Sequence, residues 1–166
     1  MLDVGAASGD SARVIASEYP GARITNLDYN DVNLQAAPRP KIIANAFVLP
    51  FREPSFDYVF SSLFLHHFAE EKVIHLLRTL YATARRALIV CDLERHILPY
   101  LFLPATRPFF GWQRITLHDG PISVRAAFRK EELAGVAEKA GITKAEFAVY
   151  RPAFRITMIA KKPNSQ

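Results

Sequence analysis

The sequence predicts an α/β fold, a parallel sheet covered by helices on both faces. Three observations predict it. Short apolar runs of strand length alternate with stretches of helical periodicity along the chain. The first alternation, Met1 to Asp10, passes from strand to helix through a turn carrying Gly5, Ala7 and Gly9. The chain has 166 residues and half of them are apolar, which is enough for one core without disulfides or a structural metal.

The elements follow in order. Leu2 to Val4 reads as the end of a buried strand, and Asp10 to Tyr19 as a helix with Ala12, Val14, Ile15 and Ala16 on or near its apolar face. Pro20-Gly21 ends that helix. Ala22 to Leu27 is a second strand, ending at Asp28, and Tyr29 to Pro40 fits a brief helix and loop. Lys41 to Ala44 and Phe56 to Ser62 are the third and fourth strands, the latter introduced by the turn-like Arg52 to Ser55. A long helix over Ala69 to Arg85 is marked by Val73, Leu76, Leu77, Leu80 and Ala84 at helical spacing. Ala87 to Cys91 is a fifth strand ending in Asp92. The aromatic stretch Ile97 to Trp112 is broken by Pro99, Pro104 and Pro108, so it is not one regular helix. Leu133, Val136, Ala137 and Ala140 mark a helix that stops at Gly141. Ala145 to Tyr150 and Phe154 to Ala160 are strands joined around Arg151-Pro152, and 161–166 reads as a frayed tail. Neither a repeat nor an interdomain linker is visible, so 1–166 reads as a single domain.

Composition excludes several classes. The net charge is +5, but the basic residues are dispersed apart from pairs such as Arg85-Arg86 and Lys161-Lys162. Without a basic stripe interleaved with aromatics, nucleic acid is not the expected partner. No run of about 18 apolar residues suits a membrane span. The N-terminus has no basic n-region or cleavage pattern, and Cys91 is the lone cysteine, so a cytoplasmic setting and no thiolate metal site are expected.

The chemistry concentrates at the first turn. Glycines there let backbone N–H groups approach a ligand, and the following helix aims its dipole at it. Asp28, 25 residues after Asp3, ends the second strand, where a carboxylate accepts from two ribose hydroxyls. The spacing is G-x-A-x-G rather than G-x-G-x-x-G, and Ala7 narrows the turn. Asp3 before the turn and Asp10 after it repel phosphates and suit an ammonium or sulfonium cation, which points away from a nicotinamide dinucleotide. Gly9 is expected to let the helix approach the sheet.

On these residues the chain resembles a class I S-adenosylmethionine-dependent methyltransferase of the small-molecule group that includes the ubiquinone and menaquinone C-methyltransferases. Leu2-Asp-Val-Gly-Ala-Ala-Ser-Gly9 resembles the first motif and Asn26-Leu-Asp28 the acid after the second strand. Ala44-Asn-Ala-Phe-Val-Leu-Pro-Phe51 resembles the string at the third strand, and Phe56 through Phe68 the fourth motif. The resemblance implies a Rossmann-like, seven-stranded, mostly parallel sheet with an antiparallel C-terminal strand. It implies S-adenosyl-L-methionine as cofactor and methyl transfer to O or C of a small, aromatic or apolar acceptor. A non-catalytic partner protein of the same fold is the alternative. The resemblance further implies that Asp3 and the turn Gly5, Ala6, Ala7, Ser8 and Gly9 hold the methionine part. Asp28 would take the ribose, Tyr29 would pack beside the adenine, and Asn45 would accept from its amino group beside the Ala46 and Phe47 backbone. Ser61 and Leu63 would touch the methionine end. Asn45 stands where Asp is common, and the helix that closes over the site in relatives would have to precede Met1.

His66 and His67 follow the fourth strand, where either would take a proton from a phenol or enol during transfer. The bland alternative has one ring packed and the other in solvent. Residues 97–121 would form an acceptor-side insertion in which Tyr100, Trp112 and His118, with His67, contact the substrate.

Overall fold

A computed structural model describes residues 1–98, 122–151 and 153–163. The strands are β1 (Leu2–Val4), β2 (Thr25–Asp28), β3 (Lys41–Ile43), β4 (Phe56–Ser62), β5 (Ala84–Leu93), β6 (Ala145–Tyr150) and β7 (Arg155–Lys161). The helices between them are α1 (Asp10–Glu18), α2 (Asp31–Leu34), α3 (Glu70–Thr83) and α4 (Lys130–Lys139), with a 3₁₀ turn at Leu65–His67. One sheet holds all seven strands in the order β3-β2-β1-β4-β5-β7-β6. The strands β1 to β5 pair in parallel, and β7 inserts antiparallel between β5 and β6. The order reverses at β1, so the ends of β1 and β4 leave a crevice where open α/β sheets take ligands.

The core lies under α3 and α4. Leu76, Leu77, Leu80, Leu133 and Val136 pack against Val59, Leu88, Val90, Ile156 and Met158, all buried. Along β5 the even-numbered residues from Leu88 to Asp92 face this core, whereas Ile89 and Cys91 are only half-buried. The opposite face is less covered among the described residues. Tyr58, Phe60 and Ile89 share an open groove of about 1000 Å³ with Ile15 and Tyr19 of the α1 region. Hence Ala12 is buried in α1 as expected, while Val14 and Ala16 are exposed.

Several boundaries differ from the sequence expectation. Ala84 and Arg85 belong to β5 rather than α3, because Ala84 turns extended at φ −80, ψ 138 and pairs with Phe56. Helix thus passes into strand without a loop. β2 begins at Thr25 rather than Ala22, since the short β1 offers partners only for Thr25 to Leu27. Lys161 extends β7 rather than fraying. Of the segment 97–121, residues 99–121 lie outside the described residues, and with them Tyr100, Trp112 and His118. No helix among the described residues is long and apolar enough to cross a membrane.

Gly9 has a different neighbour from the one expected. A Cβ there would lie 2.6 Å from Pro38 Cδ and 2.9 Å from Ala37 Cβ, at φ +76. The glycine therefore admits the segment after α2 rather than bringing α1 onto the sheet. Gly9→Ala is expected to lower unfolding free energy by about 1–3 kcal/mol through left-handed strain and collision. Thermal unfolding followed by circular dichroism checks this, and an unchanged midpoint would overturn it.

Candidate functional site

The first turn closes on the end of β2. Gly5 and Ala6 both donate N–H bonds to the Leu27 carbonyl, at 2.9 and 3.0 Å. Ala7 sits at φ 44, a left-handed position usually given to glycine, so the turn holds it at some strain. Its N–H donates to Asp28 Oδ2 at 2.9 Å, and Asn30 N–H donates to Asp28 Oδ1 at the same distance. Asp28 therefore ties the turn to its own loop while each oxygen keeps a lone pair for a ligand. Ser8 Oγ bonds Asp10, which is also paired with Arg13 at 2.7 Å. That pairing offsets the negative charge Asp10 was expected to bring to the turn.

Beneath the turn lies Asp3, 1% exposed. Its Oδ2 is buried and has no hydrogen-bond partner among the described residues. Burial, with the Asp28 charge adding to it, pushes the Asp3 carboxyl up to about 7. A group raised in the fold stabilises it below the ordinary carboxylate range and loses that contribution as pH rises through the folded value. Unfolding free energy should therefore fall between about pH 4 and pH 8. Asp3→Asn should remove about 1 kcal/mol or more of that dependence. Denaturant titrations across this range check it, and an equal slope in the variant would sink the claim.

Gly5, Asp28, Tyr29, Asn45, Ala46 and Phe47 line one cavity of about 380 Å³, closed by Phe64, Phe68 and Lys72. The fold thus gathers residues from the ends of β1, β2, β3 and β4. Tyr29 is 78% exposed. Asn45 is exposed, and its Oδ1 accepts from Phe47 N–H at 3.0 Å, so it shapes its own turn as well as facing the cavity. Phe64 packs onto Gly5, where an added Cβ would come within 2.5 Å of its ring. Ser61 does not face the cavity. It is fully buried in β4 and its hydroxyl donates to the Val4 carbonyl at 3.1 Å, because residue 61 points into the sheet core. Leu63 follows at φ 51, turning the chain out of β4.

The two histidines part company. His67 is exposed at its edge, and the partial burial of its ring pushes the imidazole below the ordinary range, the neighbouring His66 adding to this and Asp92 opposing it. His66 is buried, and its Nδ1 lies 2.6 Å from Asp92 Oδ1. Asp92 also accepts from Phe64 N–H and Leu65 N–H on Oδ2, at 3.2 and 2.8 Å, and from Leu93 N–H on Oδ1. A carboxyl group whose oxygens accept these N–H bonds holds the ring and favours the tautomer with the proton on Nδ1. Asp92 was visible in the sequence only as the acid ending β5. Its signal was the shared habit of β1, β2 and β5, each with an acid at or near its C-terminal end.

The comparisons with known proteins agree with this fold. The family of methyltransferase domains matches residues 2–89. No curated protein matches the chain. Human N-acetylserotonin methyltransferase, solved with S-adenosylmethionine, shares the fold at a TM-score of 0.70 and 20% identity, over 99% of this chain. The chain spans 47% of that enzyme's length. A SAM-dependent methyltransferase from Aquifex aeolicus gives 0.69 at 14% identity, covering 96% of this chain and 80% of that one. A protein described as a pericyclic reaction enzyme gives 0.67 at 17% identity, covering 95% of this chain and 41% of its own length.

Proposed function

The chain belongs to the methyltransferase domain family, and from that premise we propose that it transfers a methyl group from S-adenosyl-L-methionine to an oxygen or carbon of a small acceptor. Fold alone does not carry this, since a pericyclic enzyme shares the sheet. The observation that carries it is Asp3, a buried carboxylate in β1 just before the glycine turn, whose Oδ2 has no hydrogen-bond partner among the described residues. Such an oxygen is costly to leave unmet and suits a cationic, N–H-bearing group. A phosphate there would meet Asp3 and Asp28 together, which disfavours a dinucleotide.

The turn Gly5 to Gly9 and Asp3 would hold the methionine end, with Leu63 nearby. Asp28 would accept from the ribose, and Tyr29, Asn45, Ala46 and Phe47 would border the adenine. When bound, S-adenosylmethionine supplies an electrophilic methyl group on a sulfonium. The protein's share is positioning and the handling of one proton. His66, its Nδ1 held by Asp92, keeps Nε2 as the acceptor for a proton from an acceptor hydroxyl or enol. The exposed His67 lacks that anchoring and is the weaker candidate for the base. A small acceptor and a cytoplasmic setting complete the reading, with the lone Cys91 needing no oxidising compartment.

Calorimetric titration with S-adenosylhomocysteine tests it. Saturable one-to-one binding is the expected result. No binding by a chain shown to be folded would remove the transferase reading and leave a fold-sharing partner protein.

A further inference from the structure

A second cavity, of about 690 Å³, opens beyond the C-terminal end of β5 and shares no lining residue with the cavity under Tyr29 and Phe47. Among the described residues its walls carry Arg95, Arg125, Arg129, Lys130 and Arg151 against Glu94 and Glu131, five cations to two anions. Arg95 is paired with Glu132 outside the cavity lining. Arg129 and Lys130 stand at the start of α4, where Glu132 accepts from Arg129 N–H at 2.9 Å and leaves the two cationic side chains as the positive groups of that end.

Glu94 is the second observation, independent of the charge count. It is 7% exposed and its Oε2 is buried without a hydrogen-bond partner among the described residues. Its Oε1 lies 3.7 Å from Arg151 Nε, an ion-pair contact longer than a hydrogen bond. A buried carboxylate oxygen left in that state accepts from any O–H or N–H brought to it. Glu94 is two residues past Asp92, on the same side of the strand and roughly 7 Å along it.

We infer that this cavity binds a small hydroxy-carboxylic acid. The carboxylate faces the Arg125, Arg129 and Lys130 end, and the hydroxyl donates to Glu94. A guanidinium fork matches a carboxylate with two parallel bonds. Glu94 repels a second negative group at the other end, so the ligand is an acid at one end and a hydrogen-bond donor at the other. Naming this ligand as the methyl acceptor rests on the transferase reading, while the binding itself does not.

The test uses the full chain with 4-hydroxybenzoate, benzoate and 4-hydroxybenzamide as probes, followed by amide NMR shifts at millimolar concentration. The hydroxy acid is expected to bind about tenfold tighter than its uncharged amide, the worth of one charge-assisted hydrogen bond. The double variant Arg125→Gln, Arg129→Gln should erase that preference and leave S-adenosylhomocysteine affinity unchanged. Glu94→Gln should narrow the preference of 4-hydroxybenzoate over benzoate. Equal binding of acid and amide, a preference that survives the double variant, or no shift with any probe would each overturn the inference. Retained acid preference in a chain that fails to bind S-adenosylhomocysteine would support the acid site and remove the transferase reading instead.

Discussion

Asp28→Ala is expected to reduce S-adenosylhomocysteine affinity by at least about 100-fold while the chain stays folded. Two losses combine. The carboxylate takes N–H bonds from Ala7 and Asn30, both at 2.9 Å, so its removal frees the turn from the end of β2. On the proposed reading it also removes the acceptor for two ribose hydroxyls, and charge-assisted bonds are worth about 1.5–3 kcal/mol each. Ala7, already at φ 44, would relax once its N–H is released. Asp28→Asn should fall between the two, because one amide oxygen cannot replace two carboxylate oxygens. Calorimetry gives the affinities, and a thermal midpoint near that of the parent chain shows that folding is retained. Undiminished binding in Asp28→Ala would mean that the cofactor reading of this turn is wrong.

The second large effect is at Asp92. Asp92→Ala strips the partner from His66 and from the N–H groups of Phe64, Leu65 and Leu93 at once. Of these, Phe64 lines the cavity, and Asp92 itself is fully buried. Breaking a buried pair of this kind costs about 3–5 kcal/mol, a large part of a typical stability of roughly 5–15 kcal/mol. That variant is expected to unfold readily in urea, so it cannot by itself speak to chemistry. Asp92→Asn is the informative partner. Its amide keeps one acceptor but presents N–H to His66, which favours the wrong tautomer. With an acceptor in hand, kcat should fall by about 10²–10⁴ with little change in S-adenosylhomocysteine affinity, and the acidic limb of the pH profile should shift. A folded Asp92→Asn chain with parental kcat and pH profile would reduce His66 and Asp92 to a structural pair.

The division between sequence and tertiary structure follows from the range of the forces involved. Periodicity and turn chemistry act over a few residues, so β1, β4 and β6 were legible to the residue, and α3 and α4 to within a turn. The glycine turn and Asp28 were legible for the same reason, since a strand, a tight turn and an acid at fixed spacing are local features. The exchange from α3 into β5 at Ala84 was not, because an alanine suits both and pairing with Phe56 decided it. Nor was the orientation of Ser61, which strand alternation turned toward the Val4 carbonyl. The two histidines looked alike in sequence. Only the arrival of β5 beside β4 gave His66 a buried carboxylate and left His67 in solvent. Glu94 and the arginines at the start of α4 are some thirty residues apart in the chain and show no motif together. What the sequence determined by itself is the layered α/β class and the tight glycine turn between β1 and α1, with an acid at the end of β2. What tertiary structure alone decided is which acids lose their water. That depends on neighbours brought from distant strands, and it singles out Asp3, Asp92 and Glu94.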